Sequence, residues 1–390
     1  MNKHSVIILI IVTLLLHAWP AWRHFSQFSR EPYSTFRANP LSVVNEEKAR
    51  PSMLKEFINP ESVSDMVHVS SICELADGRL ASVWYGGTRE GSKDTAVFIS
   101  IRDADSREPW SRPRVIIDRK SASEELKRYV KKVGNAVIFT DSEGRLWLVY
   151  VTIAIGGWSG SSLNVKMSND GGDSWSTSER ITLSPFFNVS ELVKNNPVFF
   201  ENGDFAIPIY HECFGRFPEM LWVRTGNNGS GISFRKTRMA GGRRLIQPSV
   251  VACDSYSGRA FYRNLASDRK VAFSTTDNAG STWSEPENLR LRNPDSGINA
   301  LLLSDGRILM AFNDSSNSRE SLSLAISDDC GSSWENVSTI ENEEGQEFSY
   351  PYMILGRNGT IHLVYTWKRR HIRHLAFNDA WIDIQKGVRK

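Results

Sequence analysis

A chain of 390 residues, 40% of them hydrophobic, can bury a large core, and 47 basic against 44 acidic residues leave a net charge of +3. So small a charge excludes nucleic-acid binding as the main business. Length alone suggests two or three domains, a prior that large all-β folds break.

In chain order, Met1-Asn2-Lys3-His4 precedes an almost unbroken apolar stretch over 6–22 that contains His17 and Pro20. It sits at the short end for a membrane span. Neither Ala18 nor Ala21 has a small partner two positions upstream, so no good small-x-small cleavage site is present and 5–22 reads as an uncleaved signal anchor behind a short cytoplasmic 1–4. A cleaved signal peptide is the rival reading. Either way the remainder is expected outside the cytoplasm, in the periplasm, at the cell surface, in a lumen or secreted. Residues 23–52, rich in Arg, Ser, Pro and Asn, read as a tether.

From there a repeat takes over. Turn glycines fall at Gly78, Gly144, Gly203, Gly258, Gly306 and Gly359, at intervals of 66, 59, 55, 48 and 53 residues. Each lies between apolar runs, such as Ser71-Ile72-Cys73-Glu74-Leu75 before Gly78 and Leu80-Ala81-Ser82-Val83-Trp84-Tyr85 after it. That is strand, tight turn, strand. Six such hairpins at a period near 55 residues imply six copies of a four-stranded unit, the blade of a propeller. The expected fold is all-β: a six-bladed β-propeller of four-stranded antiparallel blades over 53–380, preceded by one N-terminal hydrophobic helix and followed by a tail at 381–390. The last unit lacks an outer strand, so residues 54–58 are expected to supply it and close the ring. The best helical candidate inside the propeller is 123–132, between the first two blades.

A second pattern, Ser/Thr-x-Asp-x-Gly-x-Ser/Thr-Trp, occurs three times, at 168–175, 276–283 and 327–334, with Asn278 replacing Asp in the middle copy. The Asp or Asn caps backbone N–H groups, Gly takes a positive φ and Trp packs the turn on the sheet. The copies are expected between third and fourth strands of alternate units, with degenerate versions ending at Trp110 and Phe234. Cys73, Cys213, Cys253 and Cys330 are scattered without metal spacing; Cys73 and Cys253 read as buried thiols and no disulfide framework is expected. Asn-x-Ser/Thr occurs at Asn188, Asn228, Asn313, Asn336 and Asn358.

The start of each first strand and the end of each second strand share one face. There stand His68, Asn135, Asn196, Gln247, Asn299 and Tyr350, and Tyr85, Tyr150, Tyr210 with His211, Arg263, Asn313 and Tyr365. A ring of His, Asn, Gln, Arg and Tyr points to a polar ligand pocket at the propeller mouth. The bland alternative is that strand ends are simply wet.

The repeated pattern is the Asp-box, and over about 310 residues the chain resembles the sialidase superfamily. The resemblance implies a triad of arginines holding a carboxylate, a Tyr nucleophile activated by a Glu, and an Asp acid/base. Tyr350, in Phe348-Ser349-Tyr350-Pro351, matches the nucleophile. Arg319 and Arg263 match two triad arginines. Asp94 resembles the acid/base, with Arg89 beside it. The chain departs from the pattern twice: His68 stands where the first triad arginine is expected, and Gln247 where the activating Glu is. A Gln cannot take a proton from a phenol, so Tyr350 needs another base. Glu212, His211 and Glu90 are the candidates.

The implied function is removal of a terminal acidic sugar, sialic acid or a relative, from a glycan by a retaining exo-glycosidase. A polysaccharide lyase acting on a uronate, using His68, His211 and Tyr350, and a non-catalytic glycan-binding propeller are the alternatives. The catalytic candidates are Tyr350, Asp94, His68, His211, Glu212 and Gln247. The binding candidates are Arg263, Arg319, Arg89, Glu90, Asn135, Asn196, Asn299, Asn313 and Tyr365. No metal or cofactor is called for. The expected partners are a glycan and, through the N-terminal segment, a membrane, with the chain as a monomer. Rival structural roles are a salt bridge for Arg263, a loop brace for Arg319, a packed core ring for Tyr350 and a turn cap for Asp94. The basic run at 368–374 reads either as a solvated turn between the last blade's strands or as a source of further cations for the sugar, Arg370 or Arg373.

Overall fold

The computed structural model describes residues 3–26, 34–37, 50–103, 109–184, 188–225, 231–239 and 244–388. Six sheets follow one another along the chain. In blade 1 the strands are Met66–Glu74, Leu80–Gly87, Ala96–Arg102 and Arg114–Asp118, each antiparallel to the next. Blade 2 begins at Lys132–Thr140, blade 4 at Leu245–Ala252, blade 5 at Asn299–Leu302 and blade 6 at Phe348–Leu355. In blade 3 the first strand is split into Leu192–Val193 and Val198–Phe199, both paired with Phe205–His211. This is the expected six-bladed propeller.

Ring closure follows the expectation from the missing strand. Met53–Phe57 pairs antiparallel with His371–Phe377 and becomes the outer strand of blade 6, so the first and last parts of the propeller share one sheet. Glu56 anchors the seam: its carboxylate accepts from Trp110 at 3.0 Å and bonds the His374 ring at 2.9 Å, and Arg102 pairs with it.

The blades differ from expectation in several places. The Asp-box turns join third and fourth strands, but in blades 2, 4 and 5 rather than in alternate blades. The helix between blades 1 and 2 is Arg119–Glu125, earlier than the expected 123–132. Asp118 caps it by accepting from the backbone N–H groups of Lys120 and Ser121, and Lys132 already belongs to a strand. The expected tail at 381–390 falls on a helix, Asp379–Val388, whose Ile382 is fully buried and whose Asp383 pairs with Arg307. Two cysteines expected to be separate, Cys253 and Cys330, form a disulfide. Cys330 lies in the blade 5 Asp-box turn and that turn packs against blade 4, where Trp334 meets Phe261 edge-on at 5.5 Å. A separation of 77 residues hid this neighbourhood. Cys73 is a free buried thiol, as expected, and Cys213 is free and exposed.

At the N-terminus Lys3–Ser26 is helical. Among the described residues no helix is long and apolar enough to cross a membrane, so the anchor reading gains no support. Most of 23–52 and Asn228 lie outside the described residues. Within that stretch, Phe36 is fully buried, bridges to Phe200 and stacks on it at 5.5 Å.

Candidate active site

The inner strands of blades 1, 2, 4 and 6 share one irregularity. Pairing runs regularly to His68, Val133, Ile246 and Ser349, skips two residues, and resumes at Ser71, Ala136, Ser249 and Tyr352. Such a bulge kinks the strand and re-aims a side chain. The first skipped residues in blades 1, 4 and 6 are Val69, Gln247 and Tyr350, with φ of 50°, 52° and 56°. This is left-handed backbone, costly for residues with a Cβ and held only where the surroundings over-determine it. Tyr350 and Gln247 therefore occupy the same structural position in two blades. By register Val69, not His68, is their counterpart in blade 1; His68 corresponds to Ser349.

Around Tyr350 three guanidinium groups gather. Arg263, from the second strand of blade 4, donates from Nη1 to the Tyr350 hydroxyl at 3.4 Å and to Gln247 Oε1 at 3.5 Å. Arg319 lies over the Tyr350 ring, 5.5 Å from its centroid. The third comes from the basic run at 368–374, and it is Arg369 rather than the expected Arg370 or Arg373. Arg369 donates from Nη2 to His68 Nε2 at 3.2 Å, and the His68 ring meets the Tyr350 ring edge-on at 4.6 Å. A guanidinium thus stands against His68, contributed by the turn between the second and third strands of blade 6.

Carboxylates fix these cations. Glu347 accepts from Arg319 Nη1 at 3.3 Å, from Arg369 Nε at 2.8 Å and from the Ser349 hydroxyl at 2.6 Å. Burial raises its pKa, but His68, Ser349 and the two arginines overcome this and hold it at about 2. Asp295 accepts from Arg263 Nε at 2.7 Å through its side chain and from Arg319 Nη2 at 3.1 Å through its backbone carbonyl. The sequence reading missed Arg369, Glu347 and Asp295. Glu347 stands three residues before Tyr350, a spacing that offered the only signal.

His68 is fully buried, and burial followed by the Arg369 charge pushes its pKa down to about 3. It is a neutral ring whose Nε2 already accepts from Arg369. His211 is also neutral, pushed to about 4 by burial and then by Lys236 and Arg238. Its ring stacks on Phe217 at 4.7 Å and accepts from the Phe214 N–H at 3.1 Å, so it braces a loop. Glu212 is half-buried, and burial raises its pKa although Arg263 and Arg216 lower it. Its charge acts on Tyr210, whose hydroxyl accepts from Asn135 and from Gln247 Nε2, each at 3.3 Å.

Asp94 is exposed on the loop between the second and third strands of blade 1. Hydrogen bonds from Ser92 and Thr88 lower its pKa to about 2. It therefore caps this turn, the rival reading. The same loop reaches the arginine cluster through Glu90, which pairs with Arg369 at 3.0 Å. Arg89 is exposed beside it.

The expected polar ring divides. Asn196, Asn299, Asn313 and Tyr365 are not at the pocket; each is used up inside the propeller. Asn313 donates to the Phe348 carbonyl at 2.8 Å and Tyr365 to Glu341 at 2.6 Å. Asn299 donates to Asn196 at 2.7 Å, Asn196 donates to the Met353 carbonyl at 2.8 Å, and Asn196 borders a cavity of about 500 Å³ at the opposite end of the axis. Polar atoms at buried strand ends need partners, and neighbouring blades supply them. Among the described residues no group of three or more His, Cys, Asp or Glu is placed to hold a metal ion.

Residues 78–363 match the family model described as a BNR repeat-like domain. The chain belongs to this family. Among solved structures it is similar to the Hadza microbial sialidase Hz136, with TM-score 0.65 and 16% identity over 80% of this chain and 66% of that one. It is similar to the NanB sialidase from Streptococcus pneumoniae, with TM-score 0.62 and 12% identity over 82% of this chain and 69% of that one. The intramolecular trans-sialidase from Ruminococcus gnavus gives TM-score 0.60 and 14% identity over 84% of this chain and 97% of that one. No curated protein matches the chain in sequence. This BNR repeat-like propeller has the sialidase fold.

Proposed function

We propose that the mouth binds the carboxylate of a terminal acidic sugar and that Tyr350 attacks its anomeric carbon, as in a retaining exo-glycosidase. The observation that carries this reading is the convergence of Arg263, Arg319 and Arg369 on the Tyr350–His68 pair, with Glu347 and Asp295 fixing the guanidinium groups. Three fixed cations suit a carboxylate through charge-assisted, directional contacts. Arg263 also touches the phenol oxygen itself.

In this reading attack forms the bond from the phenol oxygen to the anomeric carbon as the glycosidic bond breaks. Glu212 takes the phenol proton in place of the absent Glu at Gln247; its raised pKa suits a base better than an ordinary exposed carboxylate. Asp94 is held ionised at its turn, so the leaving oxygen takes its proton from water at the mouth, and a further water cleaves the sugar–tyrosine intermediate. The family fold of the neighbours called sialidases supports the substrate class. The Cys253–Cys330 disulfide favours an oxidising, extracytoplasmic setting. His68 is a poor lyase base, being fully buried with Nε2 occupied.

The test is incubation of the full chain with a fluorogenic sialoside and a panel of acidic oligosaccharides, following free sugar and near-ultraviolet absorbance. Release of intact acidic sugar that disappears in Tyr350→Phe supports the proposal. An unsaturated product transfers the assignment to a lyase, and binding without turnover leaves a glycan receptor.

A further inference from the structure

The floor beneath Tyr350 is built from one tripeptide of blade 3. Its first strand is broken after Val193, and Lys194-Asn195-Asn196 turns into the axis before the strand resumes at Val198. Lys194 is 1% exposed. Its Nζ donates to Asn195 Oδ1 at 2.7 Å, to the Ile298 carbonyl at 2.8 Å and to the Pro351 carbonyl at 2.5 Å. Three oxygens ring the nitrogen, enough acceptors for every N–H it carries whether charged or neutral. None of these acceptors is a carboxylate.

The acceptors are not arbitrary. Pro351 follows Tyr350 in the bulge. Ile298 follows Gly297, where an added Cβ would stand 3.1 Å from the Tyr350 ring and 3.1 Å from Gln247 Oε1. Asn195 continues the pattern by donating to the carbonyls of Gln247 and Pro248, both at 3.0 Å. Two adjacent residues of blade 3 thus hold the strained backbone of Tyr350 and Gln247 and the glycine between them, in blades 6, 4 and 5.

Two other ties between inner strands use serine hydroxyls. Ser71 bridges blades 1 and 2 by donating to Ala136 and accepting from Ile138, and Ser249 accepts from Ala300 between blades 4 and 5. A buried lysine without a counter-ion is far more costly than a serine. Burial, and next the charge of Arg263, push its pKa well down. A cost tolerated at this one tie, directly under the phenol, points to something more than holding blades together.

We infer that Lys194 is a positioning residue for Tyr350: its three hydrogen bonds set the left-handed bulge that aims the phenol at the arginine cluster. The inference rests on the glycosidase reading for its kinetic consequence, though not for its spectroscopic one. Lys194→Met keeps the length of the stem and removes every donor. The expected result is a kcat about 10- to 100-fold lower, with KM changed less than about 3-fold, because a misaimed nucleophile affects reaction more than binding. The Tyr350 contribution to the near-ultraviolet circular dichroism, taken as the difference from Tyr350→Phe, should lose most of its intensity, because it reports how firmly the ring is held.

A role confined to joining blades would lower the melting temperature and leave both readouts alone, and that result overturns the inference. Asn195→Ala removes only the straps to Gln247 and Pro248, and is expected to give the same changes at smaller size. It keeps the test alive where Lys194→Met fails to fold; an unchanged kcat and an unchanged Tyr350 dichroism in it overturn the inference too. A chain with no turnover on any acidic sugar sinks the glycosidase reading, and the Tyr350 dichroism then decides the positioning role by itself.

Discussion

The Asp-box turns and the mouth are both polar clusters rich in acids, yet they are assembled in opposite ways. In the blade 5 box, Gly331 N–H donates to Ser327 Oγ at 2.7 Å and Ser333 N–H to Asp329 Oδ1 at 2.8 Å, within one octapeptide. The boxes of blades 2 and 4 repeat the same bonds. At the mouth, Arg369 and His68 are 301 residues apart and Arg263 and Tyr350 are 87 apart. A box closes on itself and leaves no charge for a ligand. The mouth gathers three cations from three segments and balances them with three carboxylates, Glu347, Asp295 and Glu90. The first device holds a turn on its blade, and the second holds a field.

That contrast is broken most severely at the nucleophile. Tyr350→Phe keeps the ring that His68 and Arg319 pack against. It should cost at least about 10³-fold in kcat with the fold intact, the scale of losing a covalent catalyst. Equal turnover in the variant, measured as sugar release, would mean that the mouth reacts by another route.

Arg369→Ala tests whether blade 6 supplies the cation that position 68 lacks. About 10- to 100-fold should be lost in kcat/KM, mostly through KM, as expected for one charge-assisted contact worth about 1.5–3 kcal/mol. A loss no greater than that of an exposed lysine such as Lys93 would return Arg369 to the solvated turn of the sequence reading.

Asp329→Ala should do the reverse. Its carboxylate is held at about 2, by the Ser333 N–H first, with burial opposing and hydroxyl groups adding. Losing these bonds should cost about 1 kcal/mol and lower the melting temperature by a few degrees. Turnover should stay within about twofold. A large loss of activity at unchanged stability would erase the distinction between box and mouth.

The same contrast explains what the sequence made legible. The hairpin period and the boxes are local, so the blade count, and the ring closure through Met53–Phe57 inferred from a missing strand, could be read directly. Tyr350, Arg263 and Arg319 were found through a resemblance of motifs. Arg369 was hidden because it reaches the mouth from a turn of neighbouring basic residues that pattern alone cannot tell apart. Asn196, Asn299, Asn313 and Tyr365 were assigned to the pocket because strand register gives the face but not the partner that consumes each polar atom. Lys194 escaped because the break in the first strand of blade 3 carries no periodic signal.

The smallest expected effect sits at His68 and is visible only in acid. Its folded-state pKa, about 3, lies below the ordinary histidine value of about 6.5. Between those values the unfolded chain binds the extra proton and the folded chain does not, so stability rises with pH across the window. The contribution is complete above about pH 6.5 and is lost as the pH falls toward 3. His68→Gln places an amide oxygen where Nε2 accepts from Arg369, and it removes the titrating group. At pH 7 the variant should differ little from the parent. Denaturant unfolding repeated from pH 7 to 4 should show a shallower loss of stability, by close to one proton of slope in the middle of the window. Parallel curves would mean that His68 carries its proton when folded; Arg369 would then have no acceptor on that ring, and the neutral ring between the third cation and Tyr350 would have to be given up.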